Sequence, residues 1–396
     1  MKRTVITSLP QAFRVIKEMD LGTEQWDSDY RVAGRGAVVQ IVQQQMRERV
    51  SRHLEEMARL AEADRRNGSF SRHLLTELGD IELHIPRTRR FSPLSVLRCY
   101  ARRAPQVDQL ILASFVLGIS TRKVAQALLP ILGESVSATT VSRVARSLDS
   151  AVAAFHRRPI TRRYRFLVLD GVVLKRKTGA GAVKRVVLVA LGITPEGNKE
   201  VIDFFIAQGE SQGAWESFLS DLYRRGLDGE ALELIIIDGA KGLLGALPLL
   251  YPRVPLQRCW AHKTRNILNY VKRADQEAVK KDLHRISHAK NIRLAQQAAQ
   301  RLVGKWQRLY PQATQCLKAD LPELLTFFQI SVPLPPTALR TTNAIERRFR
   351  EVRRRTRPMG VFSDHTSIDR ILYSVFMYEN MKEKTNAPFL LLTQNI

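Results

Sequence analysis

The stretch LELIIID (Leu232–Asp238) is almost continuously apolar and ends in an aspartate that a glycine follows. A strand with one exposed face alternates apolar and polar residues, whereas a strand covered on both faces has a near-continuous apolar run. Such doubly covered strands are typical of parallel sheets in α/β proteins. The stretch therefore predicts a buried strand of an α/β domain, with Asp238 at its carboxyl end.

The neighbouring segments predict the rest of the sheet. RYRFLVLDGVVLKRK (Arg163–Lys177) predicts a strand ending in Asp170, and PEGN (Pro195–Asn198) has the composition of a turn. The other predicted elements are strands at Val183–Ile193 and Lys199–Gln208, a helix at Ser211–Leu227, a helix after Gly239 and a short strand at Val254–Cys259. The order β-β-β-α-β-α-β predicts a hairpin pair followed by parallel strands with crossover helices, which is a mixed α/β sheet.

A long helical block follows the last predicted strand. From about His262 the apolar spacing stays helical as far as SVPLPP (Ser331–Pro336), where prolines break it. Helical spacing then resumes in RTTNAIERRFREVRRRTR (Arg340–Arg357). Because the sheet before the block still lacks a covering helix, the block is interpreted as an all-helical insertion.

The first part of the chain is rich in arginine and mixed in its predicted structure. Gly36–Arg66 has helical apolar spacing, and then Ile81, Leu83 and Ile85 alternate with polar residues, as in a half-exposed strand. Residues Gln106–Ser150 predict three helices, the third of which is entered through a glycine and a serine.

These three predicted helices have the pattern of a helix-turn-helix. A short helix, a turn with glycine and a helix with small polar residues fit this DNA-binding motif. On that interpretation Arg143 and Arg146, in the third helix, contact DNA. The alternative is a plain structural bundle, because any small cluster of three helices has a similar pattern.

Two aspartates, Asp170 and Asp238, end predicted strands and precede glycines. Ligands of α/β sheets bind in the crevice at the carboxyl ends of strands, so neighbouring strands would bring the two carboxylates side by side. Two such carboxylates repel unless a cation holds them, and a hard cation such as Mg²⁺ prefers oxygen ligands. The alternative is turn chemistry, since Asp-Gly is a common turn pair.

A third carboxylate is predicted on the final helix. Ile345, Phe349 and Val352 form an apolar stripe at helical spacing, and Glu346 lies about 100° round from Ile345. With the stripe packed on the sheet, Glu346 could reach the crevice. The alternative is an ion pair with Arg350, worth a few tenths of a kcal/mol. That pair does not explain the excess of arginine in this helix. The arginines could instead bind the phosphate backbone of a nucleic acid that passes a metal site.

The bulk composition favours a polyanionic partner. The 396 residues carry 63 Lys+Arg against 38 Asp+Glu, a net charge of +25, which favours nucleic acid over anionic lipid, with a basic but ordinary enzyme as the alternative. Three widely spaced cysteines exclude a disulfide framework. Neither a signal peptide nor a membrane-spanning stretch is recognisable, so a cytoplasmic protein is expected.

Four segments together resemble the Mutator-type transposases of bacterial insertion sequences. They are LDGVVLK (Leu169–Lys175), IIIDGAKGL (Ile235–Leu243), QRCWAHKTRN (Gln257–Asn266) and TTNAIERRFREVRRRTR (Thr341–Arg357). The resemblance is collinear from about Asn67 to Asp369. It implies a DDE transposase with an RNase H-like core, in which Asp170, Asp238 and Glu346 are the catalytic and metal-binding triad.

Further site residues follow from the resemblance and from the basic final helix. The family has a C-x₂-H pattern after the second aspartate, matched by Cys259 and His262, for which we expect a supporting role rather than a zinc site because no second ligand pair is evident. His262 could also contact DNA or be a histidine satisfied at a helix start. The other residues expected to support the site or to contact DNA are Asn343, Arg347, Arg350 and Arg354.

The expected activity is DNA strand cleavage and strand transfer with two Mg²⁺ or Mn²⁺ ions. The expected partners are the terminal inverted repeats and target DNA, with a homodimer or higher oligomer in the DNA complex, at the bacterial nucleoid. The alternatives are a non-catalytic DNA-binding protein derived from a transposase and an RNase H-fold nuclease. The predicted domains are a basic DNA-binding region (1–104), a helix-turn-helix-like region (105–155), the first part of the core (160–262), the helical insertion (263–336) and the final core helix with a tail (337–396).

Overall fold

The computed structural model describes residues 26–96, 103–132, 136–178, 181–330, 339–357 and 365–382. The chain divides into two units, one formed by residues 1–115 and 121–144 and the other by residues 116–120 and 145–396. The domain boundaries expected from the sequence stay predictions, and so does the break at Ser331–Pro336, which lies outside the described residues.

The first unit contains a helix packed on a two-stranded hairpin. Helix α1 is Trp26–Arg59, and the antiparallel strands are β1 (Arg66–Thr76) and β2 (Gly79–Thr88). The predicted alternation in β2 is confirmed, because Ile81, Leu83 and Ile85 are buried. The prediction that the helix reaches Arg66 is wrong, since β1 begins at that residue.

Four short helices follow the hairpin, where three were predicted. They are α2 (Pro105–Val116), α3 (Thr121–Leu132), α4 (Ala138–Ala145) and α5 (Leu148–Arg157). The Ser137 hydroxyl caps α4 by accepting a hydrogen bond from the Thr140 N–H. The predicted third helix does not continue to Ser150. The N–H of Asp149 donates to the carbonyl of Arg146, three residues back, and this tighter turn separates α4 from α5.

The second unit contains a five-stranded mixed sheet. Its strands are β3 (Phe166–Thr178), β4 (Gly181–Ile193), β5 (Lys199–Ala207), β6 (Leu234–Ile237) and β7 (Leu256–Arg258), arranged in the order β5-β4-β3-β6-β7. Strands β3, β4 and β5 pair antiparallel, while β3–β6 and β6–β7 are parallel pairs. The predicted mixed α/β sheet and its element order are confirmed.

Both faces of this sheet are covered, which explains the continuous apolar runs. Leu167 and Leu169 pack with helices α6 (Gln212–Arg224) and α7 (Lys241–Leu250). Phe166 and Val168 point to the opposite face and are equally buried. On β5 the side-chain amide of Asn380, from helix α13 (His365–Lys382), bonds both backbone groups of Val201.

Helices make up the described chain between β7 and the final pair of helices. They are α8 (Trp260–Leu268), α9 (Gln276–Ser287), α10 (Ile292–Trp306) and α11 (Pro311–Leu324), followed after a 3₁₀ turn by α12 (Asn343–Thr356) and α13. Within this helical block Asp282 accepts hydrogen bonds from Lys305 and from the Trp306 indole. Across the described ranges, every helix is too short or too polar to span a membrane.

Candidate active site

Asp170 and Asp238 lie on adjacent parallel strands. Leu169 of β3 is in register with Ile237 of β6, so the two aspartates that follow are neighbours across strands about 4.8 Å apart. The condition on which the sequence argument depended, that the strands of the two aspartates are neighbours, is therefore met. The prediction that Asp170 ends its strand is wrong, because β3 continues to Thr178 in order to pair with β4.

The geometry at the end of β6 is consistent with both interpretations of the Asp-Gly pairs. The Asp238 carboxylate accepts a hydrogen bond from the Ala240 N–H at 2.9 Å, and Gly239 has a φ of 94°. This is the turn chemistry of an aspartate before a left-handed glycine. The same turn stops β6 beside Asp170 and leaves the crevice open at that edge of β3.

Burial and like charge act together on Asp170, which is 3% exposed. Burial, and then the negative charge of Asp238, raise the pKa of Asp170 from 3.8 to about 7, although nearby His262 and a hydrogen bond with Thr342 act in the opposite direction. The pair therefore holds more negative charge than its protein surroundings neutralise. A bound cation would remove that repulsion.

Helix α12 carries Glu346 to the same crevice. The predicted apolar stripe is confirmed, since Ile345, Phe349 and Val352 are fully buried. Phe349 packs edge-on against Phe376 of α13, with ring centroids 5.6 Å apart. Glu346 lies beside this stripe with its side chain 41% exposed, so it faces the cleft rather than the core.

The ion pairs of Glu346 are formed with another helix. Its Oε1 lies 3.6 Å from His262 Nε2 and 3.9 Å from Arg265 Nη2, both on α8. These contacts replace the pair with Arg350 that the sequence suggested. Glu351, the other acidic residue of α12, pairs instead within its own helix, with Arg354 at 2.7 Å and with the buried Arg355 at 2.6 Å.

Cys259 connects the end of β7 to the start of α12. Its Sγ accepts a hydrogen bond from the Thr342 N–H at 3.3 Å and contacts the Thr342 hydroxyl at 3.6 Å. The Trp260 N–H donates to the carbonyl of Arg340 at 2.9 Å. Thr342 is the N-cap residue of α12, so these bonds set where the helix that carries Glu346 begins.

The His262 imidazole lies between this connection and the carboxylates. A hydrogen bond with Cys259 is the largest influence on the pKa of His262 and, with the nearby aspartates, raises it from 6.5 to about 9 despite partial burial. Burial alone would raise the pKa of the Cys259 thiol, but hydrogen bonds with His262 and Thr342 outweigh it and lower that pKa. His262 is therefore cationic at neutral pH and can pair with Glu346.

A cleft of about 670 Å³ brings most of the predicted site residues together. Those that line it are Asp170, His262, Asn343, Glu346, Arg347 and Arg350, and two further arginines, Arg265 and Arg353, do so as well. Arg354 is instead paired with Glu351. Arg143 and Arg146 are exposed, in α4 and just after it, and their contact with DNA stays a prediction.

The donor set partly fits a divalent cation. Asp170 and Asp238 offer carboxylate oxygens, which Mg²⁺ prefers, and their mutual repulsion favours a cation between them. In the described part of the chain no three acidic, histidine or cysteine side chains converge closely enough to hold a metal ion. The Cys259–His262 pair thus has no further zinc ligands among these residues.

Residues 13–384, nearly the whole chain, match the family described as "Transposase, Mutator family". The chain belongs to the Mutator family of transposases. It is 32% identical over 320 residues to the transposase for insertion sequence element IS905 of Lactococcus lactis, with 80% of each chain covered. It is 33% identical over 318 residues to the transposase for IS256 in transposon Tn4001 of Staphylococcus aureus, covering 79% of this chain and 80% of the relative.

A third relative of this Mutator-family chain comes from Burkholderia multivorans. The transposase for insertion sequence element IS406 is 32% identical over 318 residues, covering 78% of this chain and 80% of the relative. The resemblance stated from four short segments is confirmed by these matches over most of the chain.

Sequence reasoning missed two polar residues beside the carboxylates of this Mutator-family chain. Thr342 had no signal beyond its place before a helix. Glu210 follows β5 and precedes the N-cap Ser211, and no glycine comes after it as one does after Asp170 and Asp238. Burial, and then the charge of Asp238, raise the pKa of Glu210 from 4.5 to about 7.

Proposed function

We propose that this chain is a DDE transposase of a bacterial insertion sequence, which binds terminal inverted repeats and catalyses DNA strand cleavage and strand transfer. One observation carries the proposal: adjacent strands place Asp170 beside Asp238, and Glu346 shares with Asp170 a cleft lined with arginines. Family membership supports it, and so do the relatives, which are named as transposases for insertion sequence elements.

In this proposal Asp170, Asp238 and Glu346 hold Mg²⁺ or Mn²⁺, with two ions per site. The ions, when bound, activate a water or a 3′-hydroxyl and stabilise the leaving oxygen. Asp170 is suited to a ligand role because its raised pKa reflects a buried charge that nearby His262 does not fully offset. On binding metal, the Glu346 carboxylate would give up its ion pairs with His262 and Arg265. These two positively charged side chains could then bind phosphate.

The arginines of the cleft are proposed to bind and orient the DNA backbone. Arg265, Arg347, Arg350 and Arg353 line the cleft, and guanidinium groups bind phosphate oxygens in a bidentate manner. They outnumber Asp170 and Glu346, the two acidic residues in its lining. A polyanion would therefore be attracted to the cleft, where the residues of this chain fix the scissile phosphate near the carboxylates.

The finer features of the proposal concern architecture and assembly. We include an RNase H-like core interrupted by the helical insertion, and recognition of the element ends by the basic N-terminal and helix-turn-helix-like regions. Arg143 and Arg146 are the proposed contacts of the latter region. The active assembly is proposed to be a homodimer or higher oligomer on DNA, in the bacterial cytoplasm.

Incubating purified protein with labelled element ends, with and without Mg²⁺, tests the activity. We expect Mg²⁺-dependent nicking at the ends and joining to target DNA, both lost in Asp238→Asn and Glu346→Gln. The loss should exceed the roughly 10–100-fold typical of outer-shell changes at metal sites. Asp228→Asn, an exposed carboxylate at the other end of β6, is the matched control and should retain activity.

The same experiment separates the two alternatives. Cleavage of many structured nucleic acids without joining would instead identify a nuclease of this fold. Specific end binding without any cleavage would identify a non-catalytic DNA-binding protein. Full cleavage by Glu346→Gln would remove Glu346 from the triad.

A further inference from the structure

Glu210 lies between β5 and α6, against the start of α7. It follows β5 and directly precedes α6, whose N-cap Ser211 accepts a hydrogen bond from the Ala214 N–H at 3.2 Å. A Cβ placed on Gly242, at the start of α7, would lie 2.6 Å from the Glu210 carbonyl oxygen. The backbone of Glu210 is therefore held against the segment that begins at Asp238.

The Glu210 carboxylate lies directly over the residue after Asp170. A Cβ placed on Gly171 would be 2.5 Å from Glu210 Oε1 and 2.7 Å from its Cδ. Any residue larger than glycine at this position of β3 would displace the carboxylate. Gly171 thus allows a third acidic side chain to approach the Asp170–Asp238 pair from the side of α6.

The partners of this half-buried carboxylate are too few to offset its burial. Glu210 Oε1 is fully buried and, within the part of the chain that the structure describes, accepts no hydrogen bond. The buried indole N–H of Trp215 interacts with the Glu210 carboxylate and lowers its pKa, but this does not offset burial and the charge of Asp238. The charges that act on Glu210 are those of Asp238, which repels it, and His262. An unpaired buried carboxylate is costly, and its cost is removed by a cation.

We propose that Glu210 is a fourth carboxylate of the acidic centre and takes part in binding the divalent cation held by Asp170 and Asp238. The inference rests on the proposed function, because it needs a cation at that pair. In this role Glu210 supplies an oxygen, either to the cation itself or to a water bound to it. Its position over Gly171, the residue after Asp170, and its buried oxygen without a hydrogen bond are the observations that carry it.

Mn²⁺ binding to the full chain, measured by isothermal titration calorimetry without DNA, tests this role directly. We expect Glu210→Gln to weaken Mn²⁺ binding by about tenfold, the lower end of the range for residues that support metal ligands. Glu230→Gln is the matched control, since Glu230 is exposed and lies before β6 rather than after it. Its Mn²⁺ affinity should equal that of the wild type.

Gly171→Ala provides a second test that leaves Glu210 chemically intact. The added methyl group displaces a flexible carboxylate rather than backbone, so the protein should fold and bind Mn²⁺ more weakly. In a Glu210→Ala background the same Gly171→Ala change should have little further effect on Mn²⁺ affinity. An equal loss in both backgrounds would overturn the inference, because Gly171→Ala would then act independently of Glu210.

Asp238→Asn distinguishes a failure of this inference from a failure of the proposed function. If Asp238→Asn weakens Mn²⁺ binding and Glu210→Gln does not, the cation centre stands and Glu210 has no part in it. If neither variant changes Mn²⁺ binding, the cation centre itself is wrong and the role of Glu210 is refuted with it. Weakening by both variants, with Glu230→Gln unchanged, supports the inference.

Discussion

Asp170→Asn should make the metal-free protein more stable at neutral and alkaline pH. The carboxylate is buried beside Asp238, and its pKa in the folded chain is raised from 3.8 to about 7. A group whose pKa is raised on folding contributes stability that is lost as the pH rises. Here the loss begins near the ordinary value of 3.8 and is complete above about pH 7.

The size of the effect follows from the same two values. Each pKa unit corresponds to about 1.36 kcal/mol, so the rise from 3.8 to about 7 amounts to about 4 kcal/mol. Asparagine has the same shape and no charge, and it therefore escapes this loss. The gain over the wild type should be near zero below pH 4 and should reach an upper limit of about 4 kcal/mol above pH 7.

Urea unfolding of both proteins between pH 4 and 8, without divalent cations, measures this difference in the free energy of unfolding. Tryptophan fluorescence is a suitable signal, because Trp215, Trp260 and Trp306 all belong to the unit that contains Asp170. Identical pH dependence of the two proteins would refute the electrostatic argument. Added Mg²⁺ should stabilise the wild type more than the variant if the aspartate pair binds the ion.

Two further stability predictions concern the packing of α12. Gly118→Ala should cost more than about 2 kcal/mol, because Gly118 has a φ of 96° and an added Cβ would lie 2.7 Å from the Arg355 Cα. Gly304→Ala, in the last turn of α10 where the added Cβ would meet open space, is its control and should stabilise the chain by at most about 0.5–1 kcal/mol. Phe349→Ala should cost about 3–5 kcal/mol, since the ring is fully buried. Urea unfolding measures all three variants, and a Gly118→Ala protein as stable as the wild type would contradict the proposed close contact.

The sheet could be predicted because its strands carry a local signal. Leu232–Asp238 is apolar throughout because both faces of β6 are covered, and the order of elements then restricts the topology to few choices. The apolar stripe of α12 was equally readable, since Ile345, Phe349 and Val352 recur at helical spacing. Burial of apolar side chains leaves a periodic pattern along the chain, and such a pattern needs no knowledge of distant partners.

Element ends were less predictable, because hydrogen bonds from elsewhere decide them. Asp170 was expected to end β3, but the antiparallel partner β4 extends β3 as far as Thr178. The break before Leu148 depends on one tight turn in a segment whose composition favours helix throughout. In both places, local propensity is overridden by a bond that the linear pattern does not show.

The sequence by itself determined the apolar strands, the acidic residues at the edge of the sheet and the strongly basic helix α12. The tertiary structure alone decided how these charges are paired. It places Glu346 beside His262 and Arg265 rather than Arg350, and it brings Glu210 over Gly171. Charge pairing depends on distances between residues far apart in the chain. Those distances are set by strand register and helix packing. Residue type and spacing, in contrast, indicate only which side chains of each segment are buried.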